Sequence, residues 1–232
     1  MNTVDTQVMR ILGQYAHRSE TADRFIIRFL GLGSIKLLPI VALVWALWFR
    51  KHDREPNRSA IAAGLIGAIA AFVIGRFLQD VLPERPRPLF SGAHDFVLPF
   101  YVDDRALAKW SSFPSDHAVI SFALATVIFL ISRPLGLVCY FWSFFIVCMP
   151  RVYGGLHYAS DIFAGALIGI SVVLVSVKAL LEWPWLVPRL LAMEMNYPSA
   201  FYGAAFVFSY QIVTLFDDFR KSAHAAGTLF LW

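Results

Sequence analysis

Six runs of apolar residues, each long enough or nearly long enough to cross a bilayer, constrain this chain more than any other feature. A membrane span needs about 17–25 predominantly apolar residues. The runs extend from Leu32 to Phe49, Ser59 to Leu82, Ser115 to Ser132, Leu135 to Met149, His157 to Leu181 and Ser199 to Phe216. The fourth is short, and the sixth carries Tyr210 and Gln211. Hydrophobic residues make up 58% of the 232 positions, above the roughly 45–50% of soluble domains. The expected fold is therefore all-α: an integral-membrane bundle of about six transmembrane helices preceded by amphipathic interfacial helices. Residues 1–31 form the amino-terminal segment, 32–216 the bundle and 217–232 a carboxyl-terminal tail.

Asp5, Arg10 and Arg18 interrupt any apolar core at the amino terminus, which excludes a signal peptide. Val8, Ile11, Leu12 and Tyr15 recur at helical spacing, as do Ile26, Phe29 and Leu30. Two readings fit equally: helices lying on the membrane surface, or solvated helices packed on the bundle. Ala63, Gly67, Ala71 and Gly75, with Gly165 and Gly169, predict close helix packing. Cys139 and Cys148 fall in one apolar run and read as small core residues. The net charge of +4 is spread between apolar runs with no stripe of interleaved aromatics, so it argues for membrane topology and against nucleic acid as a partner. Arg50, Lys51, Arg54 and Arg58, with Arg133, read as cytoplasmic, but the arginines and the charged amino-terminal stretch on the opposite face split the vote unless those loop arginines have another job. The loop after span two and the loop after span four share the opposite face.

Three polar clusters lie on that face. The first, "GRFLQDVLPERPRPLF", holds Arg76, Arg85 and Arg87. In the second, "SSFPSDHAVISF", Ser115 stands where a helix begins and free N–H groups favour an anion, with Asp116 and His117 following. The third is "RVYGGLHYASD", in which His157 and Asp161 are four apart and share a helical face. A carboxylate accepting from one imidazole nitrogen leaves the other as base or nucleophile. Each cluster alone has a plain structural reading as anchor, cap or hydrogen-bonder. Together, at membrane depth, they read as a site. Phosphoryl transfer uses such parts: cations and N–H donors around the phosphoryl oxygens, an in-line nucleophile and an acid for the leaving oxygen. No set of ligands at metal spacing is visible, so the expected site is metal-free and without cofactor.

These motifs resemble the type 2 phosphatidic acid phosphatase family, which includes bacterial undecaprenyl-diphosphate phosphatases. The family pattern runs Lys, six residues, Arg-Pro; then Pro-Ser-Gly-His; then Ser-Arg, five residues, His, three residues, Asp. "RVYGGLHYASD" matches the third motif, with Pro150 in place of the serine, and "PSDH" matches the second, with Asp116 in place of glycine. The first departs: seven residues before Arg87 stands Asp80, and before Arg85, Leu78. By resemblance, His157 is the nucleophile, Asp161 its orienter and His117 the general acid. Arg76, Arg87, Ser115 and Arg151 hold phosphate, with Arg76 replacing the lysine and Arg85 competing for either arginine role. Asp116 keeps the backbone N–H there while adding an anion that can turn toward the helix dipole. The resemblance implies a lipid phosphate or diphosphate entering from the bilayer, undecaprenyl diphosphate foremost, and a site on the periplasmic side of a bacterial inner membrane. Phosphatidate, phosphatidylglycerol phosphate and lipid A phosphates, transfer to an alcohol, a soluble sugar phosphate and a non-enzymatic lipid transporter are the alternatives.

Overall fold

A computed structural model of the chain describes residues 3–51, 54–91, 97–102, 110–183 and 185–216. The predicted tail, 217–232, and parts of the loop between Pro83 and Pro114 lie outside the described residues. The helices are α1 (Thr3–Gly13), α2 (Glu20–Gly31), α3 (Gly33–Trp48), α4 (Arg54–Val81), α5 (Asp116–Ile131), α6 (Arg133–Trp142), α7 (Met149–Tyr153), α8 (Ala159–Glu182), α9 (Leu186–Asn196) and α10 (Pro198–Val213). Among the described residues there is no strand.

Each of the six apolar runs falls on helix, as apolar backbone in lipid requires. Among the described residues, three continuous helices are long and apolar enough to cross a membrane: α4, the rod Arg133–Tyr153 and α8. A fourth crossing arises if α2 and α3, bent by 54°, are taken together. The helices α3, α5 and α10 have 16 residues each, about 24 Å against the roughly 30 Å hydrocarbon layer. The rod is α6 and α7 joined by a π turn, Ser143–Cys148. Pro150 explains it: a proline removes one N–H and crowds the carbonyl four residues back, and a widened turn absorbs both.

The most extensive helix contacts join α4, α5 and α8, and small residues bring their backbones together. Ala63 and Ala71 of α4 are fully buried. A Cβ added at Gly165 of α8 would lie 2.7 Å from the Ser115 carbonyl oxygen, and one at Gly169 would meet the backbone of Val119 and Ala123. These glycines set the α5–α8 distance. Cys139 and Cys148 are buried and unbonded, as small core residues.

At the far end from the loop after α4, Arg58 meets both carboxylate oxygens of Glu194 at 2.6 and 2.7 Å. Its guanidinium also covers the Trp48 ring, and Tyr202 donates to Glu194. At the opposite end, α1 and α2 pack on the bundle. Met9 is buried with Val147, Cys148, Val152 and Ile162. Asp23 accepts from the Tyr153 hydroxyl at 2.5 Å and from the backbone of His17 and Phe100. Ile11 and Phe25 stay exposed on the outer faces of these helices. The amino-terminal helices thus bury charged residues against the bundle and turn apolar ones outward, combining features of the two sequence readings.

Candidate active site

The segment after α4, the residues before α5 and the α7–α8 connection converge. Leu89 N–H donates to Gly155 O at 2.9 Å, Ser112 N–H to Arg85 O at 2.9 Å and Ser115 N–H to Asp161 O at 3.2 Å. These backbone links stitch together the three polar clusters of the sequence. Gly155, with φ of 68°, takes the left-handed turn that carries the chain from Arg151 back to His157.

His157 is 4% exposed. Its Nδ1 lies 2.8 Å from the Ser112 carbonyl oxygen, which fixes the proton on Nδ1 and leaves the lone pair on Nε2. Asp161 Oδ2 is 3.7 Å from the same Nδ1, beyond hydrogen-bond length. Ser112 O is therefore the direct orienter, with Asp161 the nearby anion. Asp161 is instead engaged by the Tyr158 N–H at 2.8 Å and by Arg85 at 2.5 Å. Burial pushes the His157 imidazolium below the ordinary histidine range; Asp161 opposes that shift, while Arg87 and Arg151 add to it.

Around Nε2 stand the cations. Arg87 Nη1 is 3.4 Å away and also donates to Leu156 O at 2.7 Å. Its Nε is buried with no hydrogen-bond partner among the described residues, as is Ser115 Oγ. Desolvation weakens the Arg87 cation, with Asp116 and Asp161 acting against that. Arg151 Nη2 lies 2.8 Å from His117 Nε2. An arginine always donates, so here His117 accepts at Nε2 and carries its proton on Nδ1. Buried donors without partners, two arginines and the start of α5 form a cradle suited to an anion.

Arg76 and Arg85 stand apart from this cradle. Arg76 donates to Asp116 at 3.1 Å and to Gln79 at 2.7 Å, and its guanidinium covers the Trp110 ring. Gln79 in turn donates to Asp116 at 2.8 Å. Arg76, read from the sequence as the lysine's replacement, is thus paired with Asp116, which stands in the place of the family's glycine. Arg85 bridges Asp161, Ser160 and Asp5 and lies over the Tyr158 ring. Among the described residues, no group of three His, Cys, Asp or Glu side chains could hold a metal ion. Sequence reasoning missed the parts played by Ser112, Gln79 and Asp5; Gln79 and Ser112 lie inside the first and second polar clusters, whereas Asp5 lies far from all three.

A helical membrane bundle with a histidine–arginine anion cradle between the ends of three helices is the class that fold and site define. A model of the PAP2 superfamily matches residues 59–185, more than half the chain, and the chain belongs to that superfamily. It is 39% identical over 62 residues to a protein of Bacillus licheniformis named bacitracin transport permease protein BcrC; the match covers 26% of this chain and 29% of that one. The chain thus matches under a third of that relative's length. Among solved structures, the transmembrane PAP2-type phosphatidylglycerolphosphate phosphatase of Bacillus subtilis is similar, with a TM-score of 0.50 and 18% identity, covering 80% of this chain and 90% of that one. Aquifex aeolicus LpxE aligns with a TM-score of 0.48 and 27% identity, over 74% of this chain and 93% of that one.

Proposed function

We propose that this protein is a membrane lipid phosphatase working through a phosphohistidine on His157. The observation that carries the reading is the fixed imidazole: Nδ1 donates to Ser112 O, so Nε2 presents its lone pair beside Arg87. The phosphoryl oxygens sit against Arg87, Arg151 and the α5 amino terminus, whose positive charge stabilises the developing negative charge. Nε2 attacks phosphorus as the bond to the leaving oxygen breaks, and His117 gives that oxygen a proton. His117 becomes able to do this when Arg151 turns from it to the phosphate and the freed Nε2 takes up a proton from water. Water then attacks phosphorus, the P–N bond breaks, and inorganic phosphate leaves as His117 takes a proton from the water. Asp161 supports the imidazolium character that forms on His157, and Arg85 holds Asp161.

A lipid substrate is supported by an apolar groove that starts at Ser160 and runs along α8 past Ile162, Phe163 and Leu167, closed by Val8 and Met149. A tail lying there brings its headgroup to the first turn of α8, the helix that carries Asp161. A polyprenyl diphosphate, undecaprenyl diphosphate foremost, is the substrate we favour, because of the resemblance to the undecaprenyl-diphosphate phosphatases of the superfamily. A site facing the periplasm is supported by the basic cluster Arg50, Lys51 and Arg54 at the other end of α4, which favours the cytoplasmic side. The test is phosphate release by purified protein in chelator, from undecaprenyl diphosphate and phosphatidate in parallel. Release from the diphosphate, with a trapped phosphoenzyme that His157→Ala abolishes, is the expected result. Turnover that survives His157→Ala would refute the nucleophile.

A further inference from the structure

Asp5 is fully buried although it lies in the first turn of an exposed-looking amphipathic helix. Its Oδ1 accepts from the Ser160 N–H at 2.9 Å, and its Oδ2 from Ser160 Oγ at 2.8 Å and Arg85 Nη2 at 2.7 Å. The start of α8 needs such partners: its N-cap is Tyr158, and Asp161 satisfies the Tyr158 N–H. Asp5 thereby caps the first turn of α8 from another helix. The same Arg85 that Asp5 holds reaches Asp161 with its other terminal nitrogen. A continuous chain of ion pairs, Asp5–Arg85–Asp161, ends 3.7 Å from His157. The cation between two carboxylates is closely balanced: removing Asp5 adds net positive charge beside His157, and removing Arg85 adds net negative charge.

We propose that Asp5 is a positioning residue of the phosphate site, so that α1 belongs to the catalytic apparatus and sets the charge that His157 feels. The proposal rests on the reading of His157 as nucleophile. The other charged or titratable groups facing His157 are Asp161 from α8, Arg87 from the segment after α4, Arg151 from α7 and, through Arg151, His117 from α5. All are retained when Asp5 is changed. Met9 keeps α1 docked by apolar contact, which separates the charge of Asp5 from the seating of its helix.

The experiment is an NMR titration of the imidazole of His157 in isotopically labelled full-length protein in nanodiscs, its resonance identified by its loss in His157→Gln. Asp5→Asn is expected to lower the titration midpoint by about half a unit to one unit, and Arg85→Gln to raise it by a similar amount. The double variant is expected to return close to the parent. The acid limb of kcat/KM should move with each midpoint, and Asp5→Glu should restore it. A purely structural Asp5 would cost stability without opposite shifts, so equal midpoints in all variants, or shifts of the same sign, overturn the proposal. Should Asp5→Asn not fold, Arg85→Gln alone decides, and an unmoved or lowered midpoint overturns it. Absence of phosphate release by the parent protein counts against the phosphatase reading and leaves the titration result standing.

Discussion

Substituting Gly165 by alanine tests whether the α5–α8 distance holds the cradle in register. The new Cβ would stand 2.7 Å from Ser115 O and 2.9 Å from Ala118 Cβ, where ordinary contact starts near 3.4 Å. Both obstacles are backbone or the first side-chain atom, so neither can swing aside. The helices must part by about 0.7 Å. Overpacking of this kind costs about 1–3 kcal/mol. Ser115 is the N-cap of α5 and Asp161 stands on the first turn of α8, so the separation falls directly across the site. A displacement near 1 Å costs about 100-fold in turnover, and 0.7 Å should therefore cost at least about 10-fold. The assay pairs the thermal unfolding midpoint in detergent with kcat for phosphate release. Gly203→Ala is the control, because a Cβ there meets nothing within 4 Å, and it should match the parent in both. If Gly165→Ala melts and turns over like the parent, the claim that this contact sets the site geometry fails.

Burial lowers the folded imidazole of His157, so the unfolded chain binds that proton first as pH falls. Its contribution to stability is full above the ordinary histidine value, about 6.5, and is lost as pH falls through the lower folded value; unfolding midpoints measured from pH 8 to 5 should decline only below about 6.5, and the decline should shrink in His157→Gln. The acid limb of kcat/KM should likewise lie below that value, and an acid limb above it would contradict a neutral, buried nucleophile. Arg76→Gln and Asp116→Asn should each slow turnover or destabilise, yet their double variant should lose less than the sum, with a coupling of about 1 kcal/mol; strict additivity would show that the 3.1 Å pair does not couple them. Glu194→Gln strands Arg58 in a buried pocket, and should cost about 3–5 kcal/mol of stability while folded protein keeps its turnover. A parent-like melting curve for that variant would mean that water reaches the pair.

The apolar runs were legible because a backbone in lipid has one economical solution, and each run is indeed helix. The grouping of Arg87, Ser115, His117, Arg151 and His157 was legible because their motifs sit at the ends of those runs, on one side. What was not legible is who holds whom. Arg85 looked like a phosphate ligand by its place beside Arg87; its partners, Asp5 and Asp161, are 80 and 76 residues away. Arg76 and Asp116 are 40 apart and pair only because α4 and α5 pack together. The spacing of His157 and Asp161 suggested a direct hydrogen bond, whereas the acceptor is the carbonyl of Ser112, a backbone atom that no residue pattern reveals. Helix lengths were misjudged at their ends, where Gly33 and Pro198 begin helices that stop after 16 residues.

Those short helices have a consequence for the surrounding lipid. The 16-residue α3 and α10, whose Leu38, Phe206 and Val207 are exposed, share the bundle with a 28-residue α4 and a 24-residue α8, so the protein presents unequal hydrophobic heights around its girth. Where a short helix meets lipid, the leaflet must thin or the protein tilt, at a fraction of a kcal/mol per Å. Acyl-chain length of the host membrane should then tell on stability: thin bilayers relieve the mismatch at α3 and α10, and thick ones add to it.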